Sequence, residues 1–153
     1  MYRIAVKEFD KIRRKYFAAY GNARKDSMFR ILQQLLLLLK ICADPSLAYE
    51  YDSNEVPTKV KKAIRLLQMW KYEKVAIGVR RIEVADSYYR YLKQAFPERQ
   101  IFYITGDKVP CKQRQRIVEK LRKTENGILL STQQSLSESM NIDDVDKLSL
   151  IHI

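Results

Sequence analysis

Three short runs, Lys74 to Val79, Gln100 to Ile104 and Gly127 to Ser131, are apolar almost throughout, and segments of helical periodicity separate them. A strand with apolar side chains at both alternating positions is buried on both faces, which requires a parallel sheet covered by helices on each side. Helices are expected over Glu83 to Phe96, where Ala85, Tyr88, Leu92 and Phe96 recur, and from about Lys112 to Lys123, where Ile117, Val118 and Leu121 do. Another opens at Pro57-Thr58 with Val60, Ala63, Ile64, Leu67 and Trp70 on one face. Lys59, Lys61, Lys62 and Arg65 fall largely off that face and read as a solvated cationic surface rather than a phosphate track.

Upstream, apolar residues at Ile4 or Ala5, Phe9, Ile12, Tyr16 and Ala19 mark an amphipathic helix from Tyr2 to Tyr20, ended by Gly21-Asn22. A second helix is expected from about Lys25 to Cys42. Its Met28, Ile31, Leu32, Leu35, Leu36, Leu38 and Leu39 make it apolar on most sides, so it should be buried on most sides. The mixed-polarity segment 48–57 reads as a linker. The expected organisation is a helical segment over 1–47, the linker, an incomplete α/β lobe over 58–147, and a tail over 148–153.

At 153 residues and 46% hydrophobic content the chain can build one core, hardly two. Its net charge of +11 favours polyanionic partners over neutral metabolites. The excess is uneven: 28 basic and 14 acidic residues precede Gly127, against 1 and 4 from Gly127 onward. Electrostatic attraction to phosphates must come from upstream, and the stretch from Gly127 onward must work by hydrogen bonding.

That stretch begins with an apolar run, Gly127 to Leu130, which ends abruptly in Ser131-Thr132-Gln133-Gln134-Ser135-Leu136-Ser137-Glu138-Ser139. A buried strand that delivers small polar side chains to the carboxyl rim of a sheet puts them where open α/β folds bind ligands. Backbone amides there, with the Thr132, Ser135 and Ser137 hydroxyls, can hold a backbone phosphate. The same residues also suit a buried strand followed by a capped helix that binds nothing. Thr105-Gly106-Asp107, after the neighbouring run, is either a second phosphate contact through Thr105 and Gly106 or a plain turn.

Together these features resemble the second, RecA-like motor lobe of superfamily 2 nucleic-acid helicases, closest to the Snf2-like branch. Leu129, Leu130, Ser131, Thr132, Asn141 and Ile142 stand at the positions of that family's motif V, although serines replace its usual glycines and the interval from Thr132 to Asn141 is one residue longer. Ile41, Cys42, Pro45 and Leu47 match the turn that closes a leucine-rich helix before the second lobe. Gly106, with Arg114 or Arg116, matches its glycine and early-helix arginine. The resemblance implies a fragment of an ATP-dependent DNA helicase or translocase, partnered by nucleic acid and by a first motor lobe in cis. It further implies that Gln133 and Asn141 couple the nucleic-acid contact to the nucleotide cleft. ATP and Mg2+ would be held mainly by the first lobe in the intact protein.

On its own the chain is expected to be inactive. None of its four glycines forms a Gly-x-x-x-x-Gly-Lys-Ser/Thr phosphate loop, and no acidic magnesium box is evident. No nucleophile and base are paired, nor does any strand lead into Gly-x-Gly-x-x-Gly. The other reading is a stand-alone basic α/β module that binds nucleic acid or protein. Cys42 and Cys111 are far apart and suggest neither a metal site nor a disulfide. With no apolar signal core, and with Leu35 to Leu39 too short to span a bilayer, a cytoplasmic location and no membrane partner are expected. The terminal Leu148-Ser149-Leu150-Ile151-His152-Ile153 reads either as a translated sequencing-library adapter or as a fourth strand.

Overall fold

The structure, a computed structural model, describes residues 2–19, 21–48, 55–138 and 140–151. Most of the expected linker (residues 49–54), together with Ser139 and His152, lies outside the described residues. The chain divides into two compact units, one ending at Glu55 and one beginning at Val56.

In the first unit α1 (Tyr2–Ala18) packs against α2 (Asn22–Ala43). Gly21 joins them with φ of 59°, a left-handed conformation that glycine adopts without steric cost. Ala5, Ile41 and Ala48 form a small core with Leu37 and Leu38 against it. Asp44 ends α2 in extended conformation and caps a 3-10 turn, Pro45–Leu47, by accepting from the Ser46 amide at 2.9 Å and the Ser46 hydroxyl at 2.7 Å. The expectation that α2 is buried on most sides does not hold among the described residues. Met28, Phe29, Leu32, Leu35 and Leu36 stay 40–63% exposed, because one partner helix covers only one stripe of another.

The second unit runs α3 (Thr58–Met69), β1 (Val75–Val79), α4 (Ile82–Ala95), β2 (Ile101–Ile104), α5 (Cys111–Arg122), β3 (Ile128–Thr132), α6 (Gln133–Ser137) and β4 (Lys147–Ile151). The strands form one parallel sheet in the order β2-β3-β1-β4, with Val75 opposite Ile128 and Lys147, and Ile101 opposite Ile128. Every residue of β1 and β3 is buried, as their uninterrupted apolar character requires. The described part of the terminal hexapeptide lies in β4.

Alternation along the strands sends Ala76, Phe102, Ile104 and Leu129 to one face, where Val118 and Leu121 of α5 and Leu136 of α6 close a core over them. Val75, Ile77, Ile128 and Leu130 point the other way, toward the side taken by α4, which touches β1, β2 and β3 and packs beside α3. Val60, Ala63 and Leu67 are the buried face of α3, and Lys61, Lys62 and Arg65 are exposed, a solvated cationic surface. Gly78 lies close to both β4 and α6: a Cβ there would stand 2.7 Å from Leu150 Cδ2, 2.9 Å from Leu136 Cδ1 and 3.5 Å from Gln133 Cγ.

The amino-terminal ends of the strands are closed by polar staples. Arg99 is buried, and its guanidinium donates to three carbonyls on three segments: Asn126 at 2.9 Å, Leu67 at 3.0 Å and Glu73 at 2.9 Å. Burial lowers its pKa, but not enough to discharge a guanidinium. Asp146 accepts from the Lys74 amide at 2.7 Å at the same rim. Between α4 and β2, Asp86 accepts from the Tyr103 hydroxyl at 2.9 Å and from Lys108, while Tyr89 stacks on the Tyr103 ring at 5.0 Å. Burial and the neighbouring Asp86 carboxylate push the Tyr103 phenol far above its ordinary range. Burial alone would raise Asp86, but the bonds from Lys108 and Tyr103 outweigh it and hold the carboxyl below its usual value.

Two outcomes follow from these contacts. Replacing Arg99 with Met leaves three inward-facing carbonyls without their donor and is expected to cost about 3 kcal/mol. Urea unfolding should show a lower midpoint at unchanged slope, and an unshifted midpoint would mean that Arg99 is not a staple. Asp86, with its pKa lowered on folding, stabilises above its unfolded pKa of about 4 and loses that contribution as pH falls through the folded value. The stability gap between the wild type and Asp86→Asn should therefore be complete at neutral pH and shrink in acid; a gap independent of pH would contradict the assignment.

Candidate anion-binding cleft

The order β2-β3-β1-β4 makes successive connections run in opposite directions. From β1 the chain passes over β3 to reach β2; from β3 it passes over β1 to reach β4. With right-handed crossovers the two connections leave on opposite faces, so the carboxyl ends of the adjacent strands β1 and β3 are left with a crevice between them. A cleft of about 420 Å3 lies there.

Its first wall comes from the end of β1: Arg80 and Arg81, followed by Ile82 and Glu83 in the first turn of α4. Arg81 stands at the helix N-cap in extended conformation and supplies no side-chain cap. The first-turn amides of a helix have no carbonyl partner within it, and the helix dipole makes that end attractive to anions. The second wall comes from the end of β3: Thr132, Gln134 and Glu138. The third comes from β2 and α5 through Gly106 and Arg114. Arg114 is only 5% exposed. Its Nε donates to the Val109 carbonyl at 3.2 Å and Nη1 lies 3.5 Å from the Glu138 carboxylate, with no hydrogen bond to Nη1 among the described residues. Three arginines thus meet two glutamates, and the balance is cationic.

The residues expected at the site are partly brought together. Thr105 is fully buried, and its carbonyl closes the turn after β2 by accepting from the amides of Lys108 and Val109 at 3.2 and 2.9 Å. Gly106 follows it into the cleft, its Cα side facing an Arg114 terminal nitrogen and the Ser135 hydroxyl. The Asp86–Lys108 ion pair ties this turn to α4. Thr132 lines the cleft and caps α6, accepting from the Ser135 amide at 3.3 Å and donating to the Ser135 hydroxyl at 2.9 Å. Ser135 is buried behind it.

Ser137 is exposed and donates to the Gln134 carbonyl at 2.9 Å, and it does not line the cleft. Gln133 is half-buried beside Gly78, with no hydrogen bond to its Nε2 among the described residues. Asn141 sits over α5, its amide near Gln115 Oε1 at 3.5 Å and its side chain accepting from the Asp143 amide at 3.1 Å. Of the two arginines weighed for early α5, Arg114 faces the cleft and Arg116 is exposed. Sequence reasoning missed Arg80, Arg81 and Glu138. The signal for the first two was present: paired arginines directly between a buried strand and a helix.

Among the described residues no group of Cys, His, Asp and Glu is placed to hold a metal ion, and no helix is long and apolar enough to cross a membrane. Residues 58–151 match the family model described as the helicase conserved C-terminal domain. A search of curated proteins found no sequence match. The fold is similar to the C-terminal domain of the Sulfolobus solfataricus SWI2/SNF2 ATPase, with a TM-score of 0.74 at 17% identity, over 98% of this chain and 64% of that one. It is also similar to the C-terminal part of the Fun30 ATPase domain, with a TM-score of 0.56 at 19% identity, over 98% of this chain and 51% of that one. The chain therefore spans less than two thirds of either structure. With the parallel sheet, the switch-point cleft and the match over α3 to β4 in hand, the chain belongs to the family of helicase conserved C-terminal domains.

Proposed function

We propose that this chain is the second motor lobe of an ATP-dependent DNA helicase or translocase of the Snf2-like branch, and that the cleft between β1 and β3 grips a phosphate of the nucleic-acid backbone. The observation that carries the reading is the convergence of Arg80, Arg81 and Arg114 on a crevice that also receives the N-terminus of α4. Guanidinium groups match phosphate oxygens in geometry and charge, and helix amides add donors aimed at the same place. Contacts of this kind fix a strand's position without reading its bases, as a motor that moves over any sequence requires.

The Thr132–Ser135 pair has a supporting role: it holds the start of α6 in place, so that Thr132, Gln134 and Glu138 form a wall of defined shape. Gln133, the first residue of α6, lies against Gly78 of β1 and is suited to pass a shift of α6 into the sheet. In this reading magnesium and ATP are held mainly by the first lobe of the intact motor. In the intact motor, closure of the two lobes and their release would alternate two backbone grips, so that the protein steps along a strand.

Arg80 and Arg81 are not buried, so a double Arg80→Ala, Arg81→Ala variant should fold normally. It is expected to bind short DNA more weakly by a similar factor for every sequence tried. The slope of log affinity against log salt should fall by about 2. Unchanged affinity and slope in the folded variant would remove the cleft from the nucleic-acid path.

A further inference from the structure

Arg114 is a buried cation whose neutralisation is incomplete. An arginine side chain only 7% exposed needs a counter-charge, because an unpaired buried charge is strongly destabilising. Its closest carboxylate, Glu138, stands 3.5 Å from Nη1, beyond the 2.7–2.9 Å or so of a charge-assisted hydrogen bond, and Nη1 has no hydrogen bond among the described residues. Glu138 is held loosely. Its side chain is 51% exposed, it is the first residue past the short α6, and the described tether on its Oε1 is the exposed amide of Gln134 at 3.1 Å. Both Gln134 and Glu138 border the cleft. The carboxylate therefore reaches from the surface across the mouth toward a charge buried at the back, and can swing into water at the cost of a weak pair.

Resting on the reading of the cleft as a phosphate grip, we infer that Glu138 is an internal competitor for the anion held by Arg114. In the empty lobe the carboxylate stands in for the phosphate and offsets part of the buried guanidinium's charge. An arriving phosphodiester displaces it and takes Nη1 at full hydrogen-bond distance, while Glu138 turns outward. One anion is exchanged for another and no bare buried charge is exposed at any stage. The grip is consequently weaker than three arginines alone would make it, and it is releasable, as a lobe that must let go of each phosphate in turn requires.

The test uses the full chain and a short labelled DNA of mixed sequence. Glu138→Gln should bind that DNA about three- to fivefold more tightly, the range of a loose surface ion pair. Glu83→Gln removes a negative charge from the same cleft without touching Arg114, and should give a clearly smaller gain. Equal gains in the two variants would mean that only the overall charge of the cleft matters, and would overturn the role given to Glu138. So would unchanged or weaker binding by Glu138→Gln while the double Arg80→Ala, Arg81→Ala variant still loses affinity. If neither variant alters binding, the cleft reading falls along with the inference.

Discussion

The pairing of β1 with β3 is the constraint from which the rest of this structure follows. Both strands are buried at every residue and run parallel in register from Val75 opposite Ile128 to Val79 opposite Thr132. Parallel neighbours cannot be joined by a tight turn, so each must leave through a crossover, and here the crossovers go to opposite sides. The two connections therefore part at the carboxyl ends of that pair and leave a crevice there. Gly78 sharpens the effect by letting α6 lie directly against β1, which brings Thr132 and Glu138 to the same crevice as Arg80 and Arg81.

Polar groups divide between the two rims according to that geometry. At the amino-terminal rim Arg99 donates to the carbonyls of Leu67, Glu73 and Asn126, and Asp146 meets the Lys74 amide. At the carboxyl rim, among the described residues, donors remain over: two accessible arginines, a helix start without a side-chain cap, and a buried arginine whose Nη1 stands slightly too far from its carboxylate partner. A rim that satisfies itself is structural, and one that holds its donors in reserve is suited to a ligand. The same residue type, arginine, serves both purposes, and what separates them is how much of the guanidinium meets protein carbonyls: Arg99 donates to them from Nε, Nη1 and Nη2, and Arg114, among the described residues, from Nε alone.

Much of the second unit was legible in advance. Uninterrupted apolar runs announced β1, β2 and β3 to within one residue at each end, and helical periodicity located α3, α4 and α5 equally closely, because burial on two faces and on one stripe leave distinct spacing in a chain. The strand order was not legible, since no local signal says that β3 inserts between β2 and β1. Thr132 and Ser135 show why hydroxyls mislead: a cap and a phosphate contact demand the same side chains at the same spacing, and the cap's geometry emerges only in three dimensions. Arg80 and Arg81 were lost in a count of charges over 126 residues, when their position at a strand end was the informative fact. For α2, apolarity around the helix was read as burial, but α1 covers one side and leaves five large apolar side chains exposed.

The most direct test of the central claim is backbone amide chemical-shift mapping of the full chain as a short DNA is titrated in. A phosphate seated in the switch-point cleft should move the amides of Arg81 to Val84 and of Gly106, together with those at the start of α6, while Arg99 and Asn126 at the opposite rim stay in place. Shifts confined to the opposite rim, or to the cationic face of α3 with the cleft unmoved, would contradict the account.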